Sequence, residues 1–294
     1  MLKLFWSGSV SGKKNVGFIG LGNIGKPMAK HLIGEDFQLY AYDVLPEAVA
    51  ELVALGATAA ASPADIAGNC HYIGICVRDD RDVENLFYGE GGLLNSAQPN
   101  TVLVIHSTVT QVGLLKWAAD GRQKGIHVVD APITGGASGA EAGTLCYMVG
   151  GDEEQLEAIR PMISTSADKV VHAGALGTGI ALKLCNNLIT YAEFAAMSEA
   201  TRLAEACGLS ADVLREVGKS NGVINEQMHS MITNRNKLAA GCNDEQMDQY
   251  MGPFGRLGRK DLQCAIDTAA ALDIQLPATE FVRDMIEDVF VNKA

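Results

Sequence analysis

A glycine-rich loop between an apolar run and a helical pattern constrains the fold of this 294-residue chain more than any other feature. The stretch NVGFIGLGNIGKPMAKHL, residues 15–32, contains the pattern G-x-G-x-x-G at residues 20–25. In dinucleotide-binding folds the first glycine allows a tight turn, the second lets the backbone approach a pyrophosphate, and the third lets a helix pack against the strand. The motif alone is weak, but its place predicts a nucleotide-binding loop formed by Gly20, Leu21, Gly22, Asn23, Ile24 and Gly25.

An acidic residue at the end of the next apolar run supports this interpretation. Asp43 closes the run QLYAYD, about 20 positions beyond the third glycine, where such folds place an acid that accepts hydrogen bonds from ribose hydroxyls. Its charge would repel a 2′-phosphate, so the sequence predicts NAD as the cofactor and makes NADP the less favoured one. A glycine-rich turn of another α/β protein, or one that holds FAD, is the alternative.

The order of patterns along the chain indicates two domains. Apolar runs alternate with helical patterns from residue 16 to residue 172, which predicts a mostly parallel sheet with helices on both faces. Only helical patterns follow from about residue 178, beginning with a long helix that Gly208 ends. We therefore expect an α/β domain at 15–176 and an all-helical domain at 177–294. The later helices are expected near 210–219, 223–240, 256–272 and 278–291.

Composition narrows the classes of partner and location. The formal net charge of −12 disfavours nucleic-acid binding, since that affinity rests on lysine and arginine that neutralise phosphates. No apolar run approaches the roughly 20 residues of a membrane span. The seven cysteines are odd in number and contain no C-x-x-C, so we expect reduced thiols in a cytoplasmic protein. The histidines show no metal-ligand spacing, and no metal site is predicted.

Two further stretches contain groups that suit chemistry at a bound cofactor. Arg78, Ser107 and Thr108 follow apolar runs, and the carboxyl ends of such strands line the ligand crevice of an open α/β sheet. The stretch DAPITGGASGAEAGTL, residues 130–145, offers backbone N–H groups that can converge on an anion such as a carboxylate. A merely flexible connection is the alternative for this stretch.

Lys183 and Asn187 lie four positions apart in the long predicted helix and therefore share one of its faces. A partly buried lysine can give or take a hydroxyl proton during hydride transfer, because burial lowers the pKa of a lysine from about 10.4 toward neutrality. Asn187 is expected to orient a substrate oxygen or the lysine itself. A lysine that merely extends its ammonium group to water is the alternative.

Four segments in order resemble the β-hydroxyacid dehydrogenase family, whose best-known members are 3-hydroxyisobutyrate dehydrogenases. These segments are GFIGLGNIGKPMAKHL, DAPITGGASGAEAGTL, GALGTGIALKLCNNL and GRKDLQCAID. The resemblance implies a Rossmann-type N-terminal domain, a long interdomain helix and an all-helical C-terminal domain similar to that of 6-phosphogluconate dehydrogenase. It also implies a homodimer or homotetramer that acts on a small hydroxy acid or aldehyde acid.

The resemblance assigns the substrate side of the site to five residues. It implies that Lys183 is the catalytic residue, that Asn187 is its companion, and that both contact the substrate. The loop of Thr134, Gly135 and Gly136 is implied in binding the substrate carboxylate. Thr134 stands where the family usually has serine, and its extra methyl group is expected to narrow the pocket.

The cofactor side carries most of the departures from the family pattern. The resemblance places Thr108 near the nicotinamide and Lys260 of the KDL segment in the active-site cleft, where we expect it to contact the cofactor. Val77 and Arg78, also expected at the cofactor, replace a usual Leu-Pro pair, and Arg78 could help to hold a 2′-phosphate. His106 replaces a usual aspartate and is interpreted as a structural histidine.

The resemblance favours an oxidoreductase that transfers a hydride between NAD and a small 3-hydroxy acid or its semialdehyde, with Lys183 as general acid and base. One alternative is an imine reductase on the same architecture, a group that generally carries another residue at the position of Lys183. A second is an NADPH-dependent semialdehyde reductase. A third is an inactive binding module, but such relatives lose the lysine and carry basic appendages, and this sequence has neither feature.

Overall fold

The computed structural model describes residues 12–293, which form nine strands and 13 helices. The chain divides into two compact units between Lys183 and Leu184. This division falls inside a long helix, a few residues after the predicted domain boundary at 176–177. The strands, all in the first unit, are β1 (Lys14–Ile19), β2 (Phe37–Tyr42), β3 (Thr58–Ala59), β4 (Tyr72–Ile75), β5 (Val102–Ile105), β6 (His127–Asp130), β7 (Ile133–Thr134), β8 (Leu145–Gly150) and β9 (Ala167–Gly174).

Eight helices connect these strands. They include the five that the sequence pattern predicts near residues 23–34, 46–55, 79–87, 111–124 and 152–160. They are α1 (Gly25–Lys30), α2 (Pro46–Val53), α3 (Pro63–Asn69), α4 (Asp80–Tyr88), α5 (Leu93–Ser96), α6 (Gln111–Arg122), α7 (Gly136–Ala142) and α8 (Glu153–Ile163). The sequence pattern does not predict α3, α5 and α7, which have seven residues or fewer and too few turns to show a helical period.

The strands of the described residues form one sheet in the order β3-β2-β1-β4-β5-β6-β8-β7, and β9 pairs with β8. The strands from β3 to β6 are parallel, whereas β8 runs antiparallel to β6 and β7. The order 3-2-1-4-5-6 is that of the Rossmann fold, in which each parallel crossover places a helix on one face of the sheet. The predicted α/β fold of the N-terminal part is confirmed.

Strand register brings the loops after the parallel strands to one edge of the sheet. Ile19 pairs with Tyr42 on one side and with Ile75 on the other, and Ile105 pairs with Ile75 and Asp130. These residues stand at or near the carboxyl ends of β1, β2, β4, β5 and β6. The residues that follow the five strands therefore lie along the edge where α/β sheets bind ligands.

The second unit is helical throughout its described residues, as predicted. Helix α9 (Thr178–Ala206) begins in the first unit and continues into the second, which also contains α10 (Ala211–Ser220), α11 (Glu226–Ala239), α12 (Asp244–Ala270) and α13 (Pro277–Phe290). Its core includes Tyr191, Phe194 and Phe290, whose rings pack edge to face at 6.0 to 6.5 Å between centroids. No helix in the described part of the chain is both long and apolar enough to cross a membrane.

Helix α12 begins at Asp244 rather than near residue 256, so this part of the prediction is wrong. The pair Gly252–Pro253 indicates a break, yet both residues lie inside the helix. A proline inside a helix costs about 3 kcal/mol. Close packing against α13 opposes this cost: a Cβ at Gly255 would lie 2.9 Å from Cα of Glu287, so glycine lets the two helices approach.

A buried arginine joins three helices of the second unit. Arg235 of α11 donates to the Ser198 hydroxyl of α9 at 3.0 Å and to the Val289 carbonyl of α13 at 2.5 Å. Its remaining hydrogen bonds go to Asn236. Burial, together with the nearby charge of Arg202, lowers the pKa of this guanidinium to about 10, so it stays charged at neutral pH.

Replacing Arg235 with alanine is expected to lower the free energy of unfolding by about 3 kcal/mol, since it opens a cavity and leaves buried acceptors unpaired. Arg215→Ala is the matched control, because Arg215 is an exposed-surface partner of Glu226 and its loss should cost at most about 1 kcal/mol. Urea unfolding of both variants measures the difference. Equal losses would contradict a structural role specific to Arg235.

Candidate active site

The three glycines of the loop after β1 lack side chains for two different reasons. Gly20 has φ +92°, and a Cβ there would collide with the carbonyl of Cys76. A Cβ on Gly25 would overlap the carbonyl oxygen of Gly20. At Gly22, by contrast, nothing lies within 4 Å of the Cβ position and φ is not positive. Sterics within the chain thus account for the first and third glycines, whereas the open space at the second fits the close approach of a ligand.

The other residues of this loop divide between packing and exposure. The Leu21 side chain is buried in the core of the first unit, and Ile24 packs against the same core. Asn23 is exposed beside Gly22. Gly22 and Asn23 are therefore exposed to a ligand, while Leu21 and Ile24 use their side chains to hold the loop on the sheet.

Asp43 lies next to this loop, directly after β2. One carboxylate oxygen accepts from the Leu21 N–H at 2.6 Å, and the other accepts from the Leu45 N–H at 2.8 Å. Val44 and Leu45 follow with 81% and 62% of their surface exposed. The acid is therefore held at the loop, and the residues after it offer no positive charge. Sequence reasoning did not single out these two apolar residues, although their place after an acid at a strand end was visible.

The chain segments after β4 and β5 are tied together at the same edge. The Val77 N–H donates to the Ser107 hydroxyl at 2.8 Å, and Thr108 lies partly buried one residue further on. Val77 and Thr108 are two predicted cofactor residues that follow different strands. The hydrogen bond between Val77 and Ser107 therefore holds them close to each other. Their register follows from the pairing of Ile75 with Ile105.

Arg78 is engaged in an ion pair on the surface. Its guanidinium donates to both carboxylate oxygens of Asp82, at 2.7 and 2.8 Å, although 85% of its side chain is exposed. The hydrogen bond from Arg78 holds the pKa of Asp82 below its usual range, opposed by burial. In this arrangement a 2′-phosphate would have to compete with Asp82 for the guanidinium.

The second glycine-rich stretch forms regular structure rather than a loose connection. Thr134 ends β7, Gly135 precedes α7, and both Gly135 and Gly136 have positive φ, at +127° and +63°. Helix α7 is held on α1, where Lys30 pairs with Glu141 at 2.6 Å. The three predicted substrate residues are therefore set in a turn with a defined backbone, which glycine alone readily adopts.

Lys183 and Asn187 lie on successive turns of α9, as the sequence predicts. Lys183 is partly buried and is the last residue of the first compact unit. Asn187 belongs to the second unit and is 6% exposed. Their shared helix sets the spacing of an amine and an amide on one face.

A buried carboxylate that sequence reasoning missed fixes the Asn187 amide. Asp261, in the KDL segment of α12, accepts from Asn187 Nδ2 at 2.8 Å and from the Tyr191 hydroxyl at 3.3 Å. Lys260 lies 2.8 Å from its other oxygen. Since a carboxylate only accepts, the amide must turn its NH₂ group toward Asp261. Burial and this carboxylate raise the pKa of Tyr191 well above its usual value.

His106 is enclosed in the core of the first unit, which supports its interpretation as a structural residue. Its Nδ1 donates to the Ala131 carbonyl at 2.9 Å, and the ring stacks on Phe18 and meets the edge of Tyr147. Burial lowers the pKa of this imidazole from 6.5 to about 4. A neutral ring without access to solvent is poorly placed to act as a general acid.

The described residues suit a dinucleotide rather than a metal ion. Among them, no group of three or more histidine, cysteine, aspartate or glutamate residues could hold a metal. A nucleotide cofactor along the sheet edge would fit the open space at Gly22 and the Asp43 carboxylate. It would also lie at the strand ends that the Val77–Ser107 hydrogen bond joins. Fold and site together define an enzyme class, the dinucleotide-dependent oxidoreductases with a Rossmann domain.

Comparison with known proteins identifies the family. Residues 15–174 match the family described as the NAD binding domain of 6-phosphogluconate dehydrogenase, and residues 177–292 match that described as NAD-binding of NADP-dependent 3-hydroxyisobutyrate dehydrogenase. The chain is 35% identical over 274 residues to 2-(hydroxymethyl)glutarate dehydrogenase of Eubacterium barkeri, covering 92% of this chain and 88% of the relative. It is 38% identical over 204 residues to the NAD-dependent L-serine dehydrogenase of Pseudomonas aeruginosa, covering 69% and 68%.

A solved structure agrees with these relatives. The 3-hydroxyisobutyrate dehydrogenase of Mycobacterium tuberculosis, solved with L-serine, has a TM-score of 0.80 and 28% identity, covering 94% of this chain and 93% of that one. The chain belongs to the β-hydroxyacid dehydrogenase family, as its sequence motifs predict. It is accordingly an NAD(P)-dependent oxidoreductase.

The two kinds of glycine in the loop give a prediction. Gly22→Ala should change the free energy of unfolding by less than about 0.5 kcal/mol but weaken NADH binding at least about tenfold, since the added methyl enters the open space. Gly25→Ala should instead destabilise the protein by about 1 to 3 kcal/mol through overpacking. Fluorescence titration with NADH and urea unfolding measure both quantities. Normal NADH binding by Gly22→Ala would contradict a pyrophosphate site at this loop.

Burial of His106 predicts a loss of stability in acid. The folded state resists protonation down to about pH 4, whereas the unfolded chain takes up the proton near 6.5, so falling pH across this window favours unfolding. His106→Leu should remove a decline on the order of 3 kcal/mol between these pH values. Urea unfolding of both proteins at several pH values tests this. Parallel declines would show that the histidine is not the group responsible.

Proposed function

We propose that this chain is an NAD-dependent dehydrogenase of small 3-hydroxy acids, which in reverse reduces the matching semialdehydes. The observation that carries the proposal is the pair on α9, a partly buried Lys183 followed one turn later by the buried Asn187. An amine and a fixed amide on one helix face suit a reaction that moves a proton on a substrate hydroxyl.

The proposed chemistry divides between cofactor and chain. The glycine loop and Asp43 would hold the nicotinamide cofactor, which would supply hydride transfer to or from the substrate carbon. The Lys183 amine takes the hydroxyl proton during oxidation and returns it during reduction. Asn187, whose amide Asp261 orients, holds the substrate oxygen. Such positioning supports proton transfer by lowering the freedom of the reacting groups.

The substrate class rests on the relatives and on the loop after β7. The substrates named for the three relatives, 2-(hydroxymethyl)glutarate, L-serine and 3-hydroxyisobutyrate, share a hydroxymethyl group on the carbon that bears the carboxylate. We propose that Thr134, Gly135 and Gly136 bind this carboxylate through a hydroxyl group and backbone N–H groups. The methyl group of Thr134 favours a small third substituent.

The proposed preference for NAD rests on the residues around β2. The Asp43 carboxylate would repel a 2′-phosphate, and the exposed Val44 and Leu45 offer it no charge. Arg78, the residue that could favour NADP, pairs with Asp82. Thr108, Val77 and Lys260 complete the proposed cofactor contacts. The alternatives are an NADPH-dependent semialdehyde reductase or an imine reductase, and Lys183 disfavours the latter.

We also propose a homodimer or homotetramer in the cytoplasm. Several large apolar side chains of the second unit are mostly exposed and would be covered by another subunit, namely Leu203, Val217, Val223 and Phe281. The odd number of cysteines without C-x-x-C suits a reducing compartment.

A spectrophotometric panel tests the function. NAD and NADP are each offered with 3-hydroxyisobutyrate, 3-hydroxypropionate, L-serine, glycerate and 4-hydroxybutyrate, while NADH and NADPH are offered with semialdehydes and a cyclic imine. Turnover of a hydroxymethyl carboxylate with NAD is the expected result. Reduction of the imine alone, or activity restricted to NADPH, would instead establish one of the alternatives.

Substitution of the lysine tests the proposed machinery. Lys183→Ala should lower kcat by roughly 100- to 10,000-fold, the usual contribution of a general acid or base, and leave the Kd for NADH nearly unchanged. Lys169→Ala, an exposed lysine of β9 in the same unit, is the control and should keep full activity. Turnover by Lys183→Ala at the rate of the control would reject the role of the lysine.

A further inference from the structure

The start of α9 is tied to the sheet by a buried carboxylate that no sequence motif singled out. Asp130, the last residue of β6, is fully buried. Its Oδ1 accepts from the Gly177 N–H at 2.8 Å, and its Oδ2 accepts from the Ile180 N–H at 2.7 Å. The first N–H groups of a helix lack partners within the helix. One side chain therefore satisfies two of these donors and binds α9 to the sheet edge.

Two glycines confine this carboxylate. A Cβ on Gly150 would collide with Oδ1 of Asp130, and a Cβ on Gly179 would lie 2.8 Å from Oδ2 and collide with the Met148 carbonyl. The side chain thus has room for one position only. Gly179 belongs to α9 and has no side chain. The helix backbone can therefore lie close to the Met148 carbonyl of β8.

Burial of a charged side chain such as Asp130 is unfavourable, and a helix cap does not need to be charged. Burial raises the pKa of this carboxyl, and the N–H groups of Gly177 and Ile180 oppose the rise. Burial of a charge is unfavourable, whereas a neutral serine or asparagine can cap a helix without that penalty. The negative charge adds compensation for the positive end of the helix dipole. Lys183 follows on the same helix, three residues after Ile180.

We propose that Asp130 is a positioning residue for Lys183, fixing the first turns of α9 so that the amine stays in place for proton transfer. The inference rests on the proposed role of Lys183. Because helical side chains lean toward the N-terminus of their helix, we expect Lys183 to lie over the turn that Asp130 holds. A displacement of about 1 Å at a reacting group can cost about 100-fold in rate.

Asp130→Asn is the central test. The amide keeps one acceptor but turns an NH₂ group toward a backbone N–H, so one of the two bonds at the start of α9 is lost. We expect kcat to fall about 10- to 100-fold, with little change in the KM for the hydroxy acid or the Kd for NADH. Because the chemical step, in which proton and hydride move together, then limits turnover more strongly than product release, the isotope effect with 4-deuterated NADH should rise.

Asp152→Asn is the matched control. Asp152 precedes α8 in the same unit, and its carboxylate takes part in a capping box of α8 rather than in a bond to the start of α9. This variant should keep the wild-type kcat even where its thermal unfolding temperature falls as far as that of Asp130→Asn. Equal losses of kcat in the two variants would mean that general stability is responsible and would overturn the proposal. A wild-type kcat for Asp130→Asn would overturn it as well.

A second variant keeps the test decisive if Asp130→Asn does not fold. Gln111 donates to the Gly177 carbonyl at 3.1 Å, so Gln111→Leu loosens the same turn and leaves the carboxylate in place. A severalfold lower kcat at constant NADH affinity supports the proposal, and a normal kcat overturns it. Lys183→Ala is measured alongside. If that variant is active, the proposed function fails; if it is inactive while Asp130→Asn is fully active, only the present inference fails.

Discussion

The contact between Gly25 and the Gly20 carbonyl is the constraint on which the candidate site depends. It lets α1 start directly against the end of β1, with no room for a side chain between them. The same turn also contacts the strands on either side of β1. The Gly20 N–H donates to the Tyr42 carbonyl of β2, and the Cα of Gly20 faces the Cys76 carbonyl after β4. Three strands thereby share one tight junction. Gly22 lies between the two glycines of this junction, and nothing lies within 4 Å of its Cβ position.

The sequence predicts those parts of the molecule whose cause is local. Alternating apolar runs and helices predict the sheet, and the period of α9 predicts its 29 residues, because each pattern repeats over neighbouring positions. The domain boundary and the roles of the site residues stay predictions. The start of α12 was predicted wrongly because Pro253 is a local breaker, whereas the packing against α13 that opposes it is not local.

Buried carboxylates are the part of the candidate site that the sequence did not predict. An aspartate in a sequence indicates a solvated surface, and only distant partners reveal otherwise. Asp130 meets Gly177 and Ile180 across 47 and 50 positions, and Asp261 meets Asn187 across 74. The two acids act on the same helix in different ways, since Asp130 binds its backbone and Asp261 binds one of its side chains.

The continuity of α9 affects how the protein unfolds. Compact units are usually joined by loops, which lack regular hydrogen bonds and let each unit unfold alone. Here the division between Lys183 and Leu184 falls within one hydrogen-bonded helix. If one unit unfolded alone, unfolding would have to stop in the middle of α9. The peptide groups at that new helix end would then lack hydrogen-bond partners within the helix. The shared helix therefore couples the two units in denaturation.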